Sequence, residues 1–163
     1  MLSTLRRLLP FALLFFISLP QSLGLSQREA LVKFYEETGG PGWYDSDGWL
    51  TEVNECEWYG ITCDEGAVTE ILLVGNKLEG TLERLASLTS LTEIYLPYNQ
   101  MTGTLVPLAN LSSLTVIDLG SNQITGTLVP LANLSSLTVI YLSKTQITGT
   151  LEPLAYLSSL TKI

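Results

Sequence analysis

Apolar positions recur with a fixed period of 23 residues over the C-terminal part of the chain. The segment Thr102–Ile117, TGTLVPLANLSSLTVI, is repeated letter for letter at Thr125–Ile140, which begins 23 residues later. Looser copies extend the register in both directions, so that one column contains only leucine and another only glycine. These columns are Leu73, Leu96, Leu119, Leu142 and Gly80, Gly103, Gly126, Gly149. A period of this length is typical of a solenoid, in which each unit buries its apolar side against its neighbours.

Each repeat combines a short strand with a turn and a return segment. In one copy the frame L-x-x-I-x-L-x-x-N-x-I-x-G-x-L runs from Leu114 to Leu128. Its I-x-L core alternates inward apolar positions with outward variable positions, which predicts a strand. Asn122 follows where the backbone turns, and its amide is suited to bond main-chain groups that have left the ladder. Gly126 permits a close backbone approach or a positive φ.

The repeats predict four strands that stack in register as one parallel sheet. The strands are centred on Ile71–Leu73, Ile94–Leu96, Ile117–Leu119 and Ile140–Leu142. Segments such as Leu108–Leu114 return the chain between strands, and their leucines at every third position are expected to face inward. A function is therefore expected on a repeated surface rather than in a single cleft.

Residues 26–38 predict an amphipathic helix that precedes the repeats. Ser26 and Glu29 form a capping-box pattern at its start. The run Gly39–Gly42, GGPG, ends it. The apolar residues that share one face at helical spacing are Ala30, Leu31, Phe34 and Tyr35.

Residues 1–24 carry the features of a secretory signal peptide. Arg6 and Arg7 precede an apolar run from Leu8 to Leu19, and small residues before and at Gly24 suit cleavage there. An uncleaved signal anchor is the alternative, but the run is short for a membrane span. No later stretch is apolar and long enough to cross a bilayer. We therefore expect a product that is secreted or held on the extracellular side of the cell surface.

Charge and composition exclude several classes of function. The formal net charge is −8, and removing Arg6 and Arg7 would take it to −10. An acidic surface of this kind argues against nucleic acid and anionic membranes as partners. The chain contains no histidine, which excludes Ser-His-Asp and Cys-His arrangements and any histidine-ligated metal. It also lacks the glycine-rich phosphate-binding motifs, so we expect no enzymatic activity, no cofactor and no metal site.

The repeat frame and the segment CEWYGITC, residues 56–63, resemble plant-type leucine-rich-repeat proteins. The frame is close to the family consensus LxxLxxLxLxxNxLxGxIP, and C-x-W-x-G-[VI]-x-C is typical of the N-terminal cap in that family. Three departures stand out. The period is one residue shorter than usual, and the prolines Pro107, Pro130 and Pro153 come one place later than in the family. In the last full repeat Thr145 replaces the asparagine of the frame. We expect this to weaken that rung, meaning that level of the asparagine column.

The resemblance implies an α/β-type solenoid, a leucine-rich-repeat horseshoe segment with a parallel sheet on its concave side. Residues 25–67 would form the cap, and residues 68–163 about four repeats, the last one incomplete. Trp43, Trp49 and Trp58 would shield the first coil. Cys56 and Cys63 are expected to form a disulfide, given the motif and an oxidising compartment. A redox or metal-binding pair is the less favoured alternative, because the CxxC spacing is absent.

The function implied by the resemblance is extracellular recognition of a protein, peptide or glycan, in cell-surface signalling or defence. Outward strand positions vary while the frame around them stays fixed. The residues expected to bind a ligand on the concave face are Glu93, Tyr95, Tyr98, Asp118, Tyr141 and Lys144. The alternative is that exposed strand tyrosines only satisfy β-propensity. The alternative function is a secreted inhibitor of an extracellular hydrolase, similar to polygalacturonase-inhibiting proteins.

The return path carries two N-glycosylation sequons one period apart. They are NLS at residues 110–112 and NLS at residues 133–135, so Asn110 and Asn133 are the expected glycan acceptors. Glycans there would shield the convex flank and leave the strand face free. The alternative is that the sequons are by-products of duplication and stay unmodified.

Two columns of threonines flank the glycines of the later repeats and are expected to stabilise a sheet edge through hydroxyl and methyl contacts, with ice binding as the less favoured use. These columns are Thr102, Thr125, Thr148 and Thr104, Thr127, Thr150. The last coil has no complete neighbour within the sequence, so we expect it to fray or to associate through that end. We also expect the chain to be a fragment of a longer product.

Overall fold

The computed structural model describes residues 25–163, which form a helical cap followed by stacked coils. The helix α1 spans Gln27–Glu37. The strands are β1 Ile61–Asp64, β2 Ala67–Leu72, β3 Glu93–Tyr95, β4 Val116–Asp118, β5 Thr125–Gly126, β6 Val139–Tyr141 and β7 Gln146–Ile147. The signal peptide expected over residues 1–24 lies outside the described residues. Among residues 25–163, no helix has the length and apolar character that crossing a membrane requires.

The expected parallel sheet is confirmed, with an antiparallel strand added at its cap end. The five strands follow the order β1-β2-β3-β4-β6, and every pair except β1–β2 is parallel. Ile71, Ile94, Ile117 and Ile140 occupy one register column and are fully buried. The strands β3, β4 and β6 each lie one residue earlier than expected, and β2 is longer and also ends one residue earlier. The following leucine still joins the ladder, since the N–H of Leu96 donates to the Asp118 carbonyl at 2.9 Å.

Short 3₁₀ helices carry the chain back between strands. They span Glu83–Ser87, Val106–Leu108, Val129–Leu131 and Glu152–Leu154. The shifted prolines Pro107, Pro130 and Pro153 fall in the first turn of these helices, where a missing N–H breaks no helical bond. Leucines of the return path face the core as expected: Leu108, Leu111 and Leu114 are fully buried.

The cap has the predicted helix and disulfide. Ser26 caps α1 reciprocally with Glu29, and the buried residues of the helix include Phe34. Cys56 is bonded to Cys63. Trp43, Trp49 and Trp58 pack with Phe34 and Tyr35 as one aromatic cluster against the first coil. The cap therefore covers the apolar end of the solenoid, as a terminal unit must.

A column of buried asparagines holds the turns that follow the strands. Asn76, Asn99 and Asn122 are all buried, and the Asn122 Nδ2 donates to the carbonyls of two coils. Thr145 stands in the fourth position, where its hydroxyl makes a bond to the Leu142 carbonyl at 2.7 Å. A hydroxyl cannot replace both the donors and the acceptor of an amide. The expected weakening of this rung thus has a structural basis.

Threonine hydroxyls bond one coil to the next at two places. Thr102, Thr125 and Thr148 donate to the carbonyls of Gly80, Gly103 and Gly126 in the preceding coil. The methyl of Thr104 lies against Gly126, so hydroxyl and methyl contacts act as expected. The sequence did not predict a second column, which consists of Thr92, Thr115, Thr138 and Thr161. Each of these hydroxyls donates at 3.0 Å to the main-chain carbonyl of the threonine one coil earlier.

Candidate ligand-binding face

The outward strand positions form two aligned columns on the sheet. The first column contains Glu70, Glu93, Val116 and Val139, and the second contains Leu72, Tyr95, Asp118 and Tyr141. Both follow from the 23-residue period. Since strands of a sheet lie roughly 4.8 Å apart, residues of one column on neighbouring strands are within reach of one ligand side chain.

Acidic groups concentrate at the cap side of this face. Glu70 and Glu93 are direct neighbours, and Asp118 lies one strand further along. The Tyr95 hydroxyl donates to the Glu93 Oε2 at 2.7 Å. This hydrogen bond, with partial burial and the charge of Glu93, raises the pKa of Tyr95 to about 12. Tyr95 therefore stays neutral and is held against the carboxylate, which fixes both side chains.

A pocket of about 220 Å³ opens beside the acidic groups. Its lining consists of Pro97, Tyr98, Asp118, Gly120, Ser121, Tyr141 and Ser143. It brings together three of the six predicted ligand-binding residues, Tyr98, Asp118 and Tyr141. The other three, Glu93, Tyr95 and Lys144, do not line it. Glu93 and Tyr95 lie on β3, next to the Asp118 strand, and Lys144 is an exposed residue beyond Ser143.

Gly120 keeps this pocket open. A Cβ built on Gly120 would lie 3.3 Å from the Asp118 Oδ1 and 3.4 Å from the Ser143 carbonyl oxygen, so a side chain would fill the space. The Gly120 N–H also donates to the Asp118 Oδ1 at 3.0 Å and orients that carboxylate. Gly120 is not among the residues that the sequence predicted for this face. The signal was a glycine where the other repeats have valine, proline and serine.

Tyr98 combines an exposed ring with a left-handed backbone. Its φ is +58°, and its side chain is 67% exposed. Gly75 occupies the same place in the first repeat at φ +58°, and Ser121 and Lys144 follow at +54° and +56°. Such a conformation costs a non-glycine residue about 1 kcal/mol or more and often marks a functional position. A large aromatic here is thus maintained against its backbone preference.

Basic groups lie at the opposite side of the face from the acids. Lys144 is exposed one coil beyond Ser121, and the Lys162 Nζ lies 5.0 Å from the centroid of the Tyr141 ring. The face therefore runs from carboxylates through a tyrosine-lined pocket to ammonium groups. This arrangement suits recognition by charge and aromatic contact. Among residues 25–163, no group of three or more carboxylates or thiols is arranged to hold a metal ion.

Comparisons with known sequences agree with the repeat frame. The family model described as Leucine Rich Repeat matches residues 113–134. A probable leucine-rich repeat receptor-like protein kinase of Arabidopsis thaliana is 35% identical over 66 residues. That alignment covers 40% of this chain and 10% of the relative, so the matched part is a small fraction of the kinase.

Solved structures share the fold of most of this chain. The leucine-rich-repeat ectodomain of the receptor kinase SOBIR1 from Arabidopsis thaliana has a TM-score of 0.70 at 25% identity, covering 86% of this chain and 79% of that one. The BIR2 ectodomain from the same plant has a TM-score of 0.77 at 20% identity, with coverages of 86% and 79%, which is a likeness of fold alone. A complex titled PEPR1-AtPEP1 matches with a TM-score of 0.70 at 25% identity, over 82% of this chain and 20% of that one.

Proposed function

We propose that the concave face binds a peptide segment of a ligand on the extracellular side of the cell. The chain is built from leucine-rich repeats and folds like plant receptor-kinase ectodomains. The observation that carries the proposal is the pocket of about 220 Å³ among Tyr98, Asp118 and Tyr141. Two aromatic walls and one oriented carboxylate give a ligand side chain both apolar contact and a charge partner.

The charge of the face supports a ligand with a cationic group near its centre. Asp118 lines the pocket, and Glu93 and Glu70 extend the negative charge along the first column toward the cap. Since the Asp118 carboxylate is held by the Gly120 N–H, it is already positioned to accept from an arginine or lysine. Lys144 and Lys162 would meet an acidic side chain or a terminal carboxylate of the same peptide.

The tyrosines supply the anchors in this proposal. Tyr98 and Tyr141 present rigid rings with few rotatable bonds, so binding costs them little conformational entropy. The backbone strain at Tyr98 supports the same view. The first repeat has Gly75 at this position, and glycine adopts the same positive φ without strain. Glu93 and Tyr95 would flank the pocket as one fixed unit, and Lys144 would contact the ligand at its far end.

Similar proteins of the same architecture support a peptide or protein ligand. One neighbour is titled as the plant peptide hormone receptor RGFR1 in complex with RGF2, and it shares 30% identity over 66% of this chain. Another neighbour is a BIR3 - SERK2 complex from Arabidopsis thaliana. These titles describe those proteins, and a role of this chain in cell-surface signalling or defence belongs to our proposal.

A peptide display selection tests the proposed function. The full chain is immobilised and selected against a random peptide library, and binders are re-tested on a Tyr98→Ala, Tyr141→Ala double variant. We expect enriched peptides to carry arginine or lysine together with an aromatic residue, and to lose binding on the double variant. Binders that keep full affinity for the double variant, or a selection that yields only acidic peptides, would contradict the proposed face.

A further inference from the structure

A wide groove lies outside the concave face, on the flank formed by the return path. Its volume is about 850 Å³, and it runs between the last two coils. Its lining consists of Thr127, Val129, Ala132, Asn133, Gly149, Thr150, Glu152, Pro153 and Tyr156. One of the two sequon asparagines, Asn133, is thus part of the groove itself.

An exposed aromatic residue forms one wall of this groove. Tyr156 is 91% exposed, although it is one of the largest side chains on the flank. It stands one period after Asn133 and two periods after Asn110, so the three residues form one column. The fourth repeat therefore reads AYLSS where the second and third read ANLSS. Tyr156 thus occupies the place of an acceptor asparagine and is the neighbour of Asn133 in this column.

We propose that Asn133 carries an N-linked glycan whose first sugars lie in this groove against the ring of Tyr156. The inference rests on the extracellular side given under the proposed function, because the donor is found only in the secretory pathway. The Asn133 Nδ2 forms a bond to C1 of a lipid-linked oligosaccharide pyrophosphate. The C1–O bond to the pyrophosphate breaks, the lipid pyrophosphate leaves, and the amide nitrogen loses one proton.

The groove suits a sugar by size and by chemistry. A volume of about 850 Å³ falls within the roughly 300–1,000 Å³ of typical small-molecule sites, which is enough for the innermost sugars. Val129, Pro153 and Tyr156 offer apolar surface to the C–H face of a pyranose ring. Thr127 and Thr150 offer hydroxyls at the same groove, and Glu152 adds a carboxylate acceptor.

Burial within the sequon determines when the glycan is attached. Asn133 and Ser135 are exposed, but Leu134 between them is 1% exposed and belongs to the core. An enzyme that must hold all three residues can reach them only before this coil packs. Transfer therefore precedes folding of the coil, and the groove then closes around sugars that are already present.

The other sequon is a matched control within the same chain. Asn110 has the same neighbours in sequence, because Thr102–Ile117 and Thr125–Ile140 are identical. Its column neighbour in the next coil is Asn133 rather than an aromatic residue. A glycan on Asn110 consequently lacks the tyrosine wall. The two acceptors therefore have the same sequon and differ in the protein surface against which the first sugars would lie.

The test uses the full chain produced by a mammalian secretory host. Ser112→Ala leaves Asn133 as the single acceptor, and Ser135→Ala leaves Asn110. Peptide mapping after enzymatic deglycosylation in heavy-oxygen water identifies the modified asparagine. The rate of glycan release by a peptide N-glycosidase is then measured on the folded proteins. We expect release from Asn133 to be about tenfold slower than from Asn110, which corresponds to about 1.4 kcal/mol. We also expect Tyr156→Ala to remove the difference.

A secreted chain with unmodified Asn133 overturns the glycan, and equal release rates for the two sites overturn its seat against Tyr156. A chain that stays inside the cell overturns the extracellular premise together with the glycan. Loss of peptide binding on the concave face, with slow release at Asn133 intact, would count against the proposed function alone.

Discussion

The side chain of Asn99 bonds the main chain of Asn76 in the preceding coil: its Oδ1 accepts from the Asn76 N–H at 2.9 Å. The same oxygen accepts from the Leu78 N–H at 3.0 Å. Its Nδ2 donates to the carbonyls of Leu73 and Leu96 at 2.8 and 3.0 Å. One buried amide thus satisfies four main-chain groups in turns that have no ladder partners.

Replacing Asn99 by alanine should destabilise the whole solenoid. The change leaves the N–H groups of Asn76 and Leu78 and the carbonyl of Leu73 without partners, and each such group costs about 1 kcal/mol or more. The Leu96 carbonyl keeps its bond from the Asn122 Nδ2. We expect a loss of at least about 3 kcal/mol in the free energy of unfolding, measured by urea denaturation. Gln100→Ala, an exposed neighbour, should change it by less than about 0.5 kcal/mol. Equal effects of the two changes would contradict the role of the buried amide.

The opposite change at the fourth rung should stabilise the last coil. Thr145→Asn would restore the side-chain amide that bonds two coils at the other rungs. In its place, the Thr145 hydroxyl donates to the Leu142 carbonyl. We expect a gain of about 1 kcal/mol for each main-chain group that regains a partner. Hydrogen exchange of the amides in β6 and β7 should slow in the variant. Unchanged exchange would show that this rung does not limit the last coil.

Two glycines of the same repeat column should respond differently to alanine. Gly80 has a φ of +73°, and a Cβ there would overlap the carbonyl oxygen of Glu37 at the end of α1. Gly149 has a φ of +95°, but its nearest neighbour would be the Thr127 methyl at 3.7 Å. We expect Gly149→Ala to cost about 1–2 kcal/mol from backbone strain alone. Gly80→Ala should cost at least about 2 kcal/mol more, measured by thermal unfolding.

The tyrosine–carboxylate pair on the face should be visible in a pH titration. The pKa of Tyr95 is raised to about 12 by its bond to Glu93, so the stability that this bond gives is complete below about pH 10, the ordinary tyrosine pKa. It is lost as the pH rises through the folded value. Phenolate absorbance should show one tyrosine that titrates late, and Glu93→Gln should bring it back toward its ordinary range. A titration unchanged by Glu93→Gln would contradict the pairing.

The disulfide should contribute to stability through the loop that it closes. Cys56 and Cys63 are separated by 7 residues in sequence. For a loop of this size the chain-entropy estimate is roughly 2.5 kcal/mol. The double variant Cys56→Ser, Cys63→Ser should lose about that amount in denaturant unfolding. Mass spectrometry under non-reducing conditions should find the two residues in one linked peptide, and two free thiols would contradict the cap.

The sequence predicted those parts of the fold that repeat or that follow a local motif. The isoleucine columns, the buried leucines of the return path and the capping box at Ser26 were all readable, because each depends on spacing alone. The strand β1 was missed because it belongs to no repeat. Its signal was the two-residue loop between Asp64 and Ala67, where Glu65 and Gly66 both have positive φ. Glu-Gly is not the usual pair for such a turn, so the hairpin was not recognised.

The candidate site was only half predictable for a different reason. Tyr98, Asp118 and Tyr141 were selected as outward polar or aromatic residues, and they line the pocket. The pocket also depends on what Gly120 lacks, and on how Ser143 approaches from the next coil. A missing side chain and a distance between coils leave no periodic signal. The period does place Tyr156 in the column of Asn133, but it does not show that a groove lies between the two coils there.

The most direct test of the account is the affinity of one display-selected peptide for single tyrosine variants of the full chain. Replacing a central interface tyrosine costs about 2 kcal/mol or more, which is roughly thirtyfold in Kd. We expect such a loss for Tyr98→Ala and for Tyr141→Ala. Tyr44→Ala, which removes a cap ring about as exposed as that of Tyr98, should leave Kd within about twofold. If Tyr98→Ala and Tyr141→Ala keep the affinity while a Thr104→Ala, Thr127→Ala, Thr150→Ala triple variant loses it, the ligand binds the opposite flank and the concave-face account is wrong.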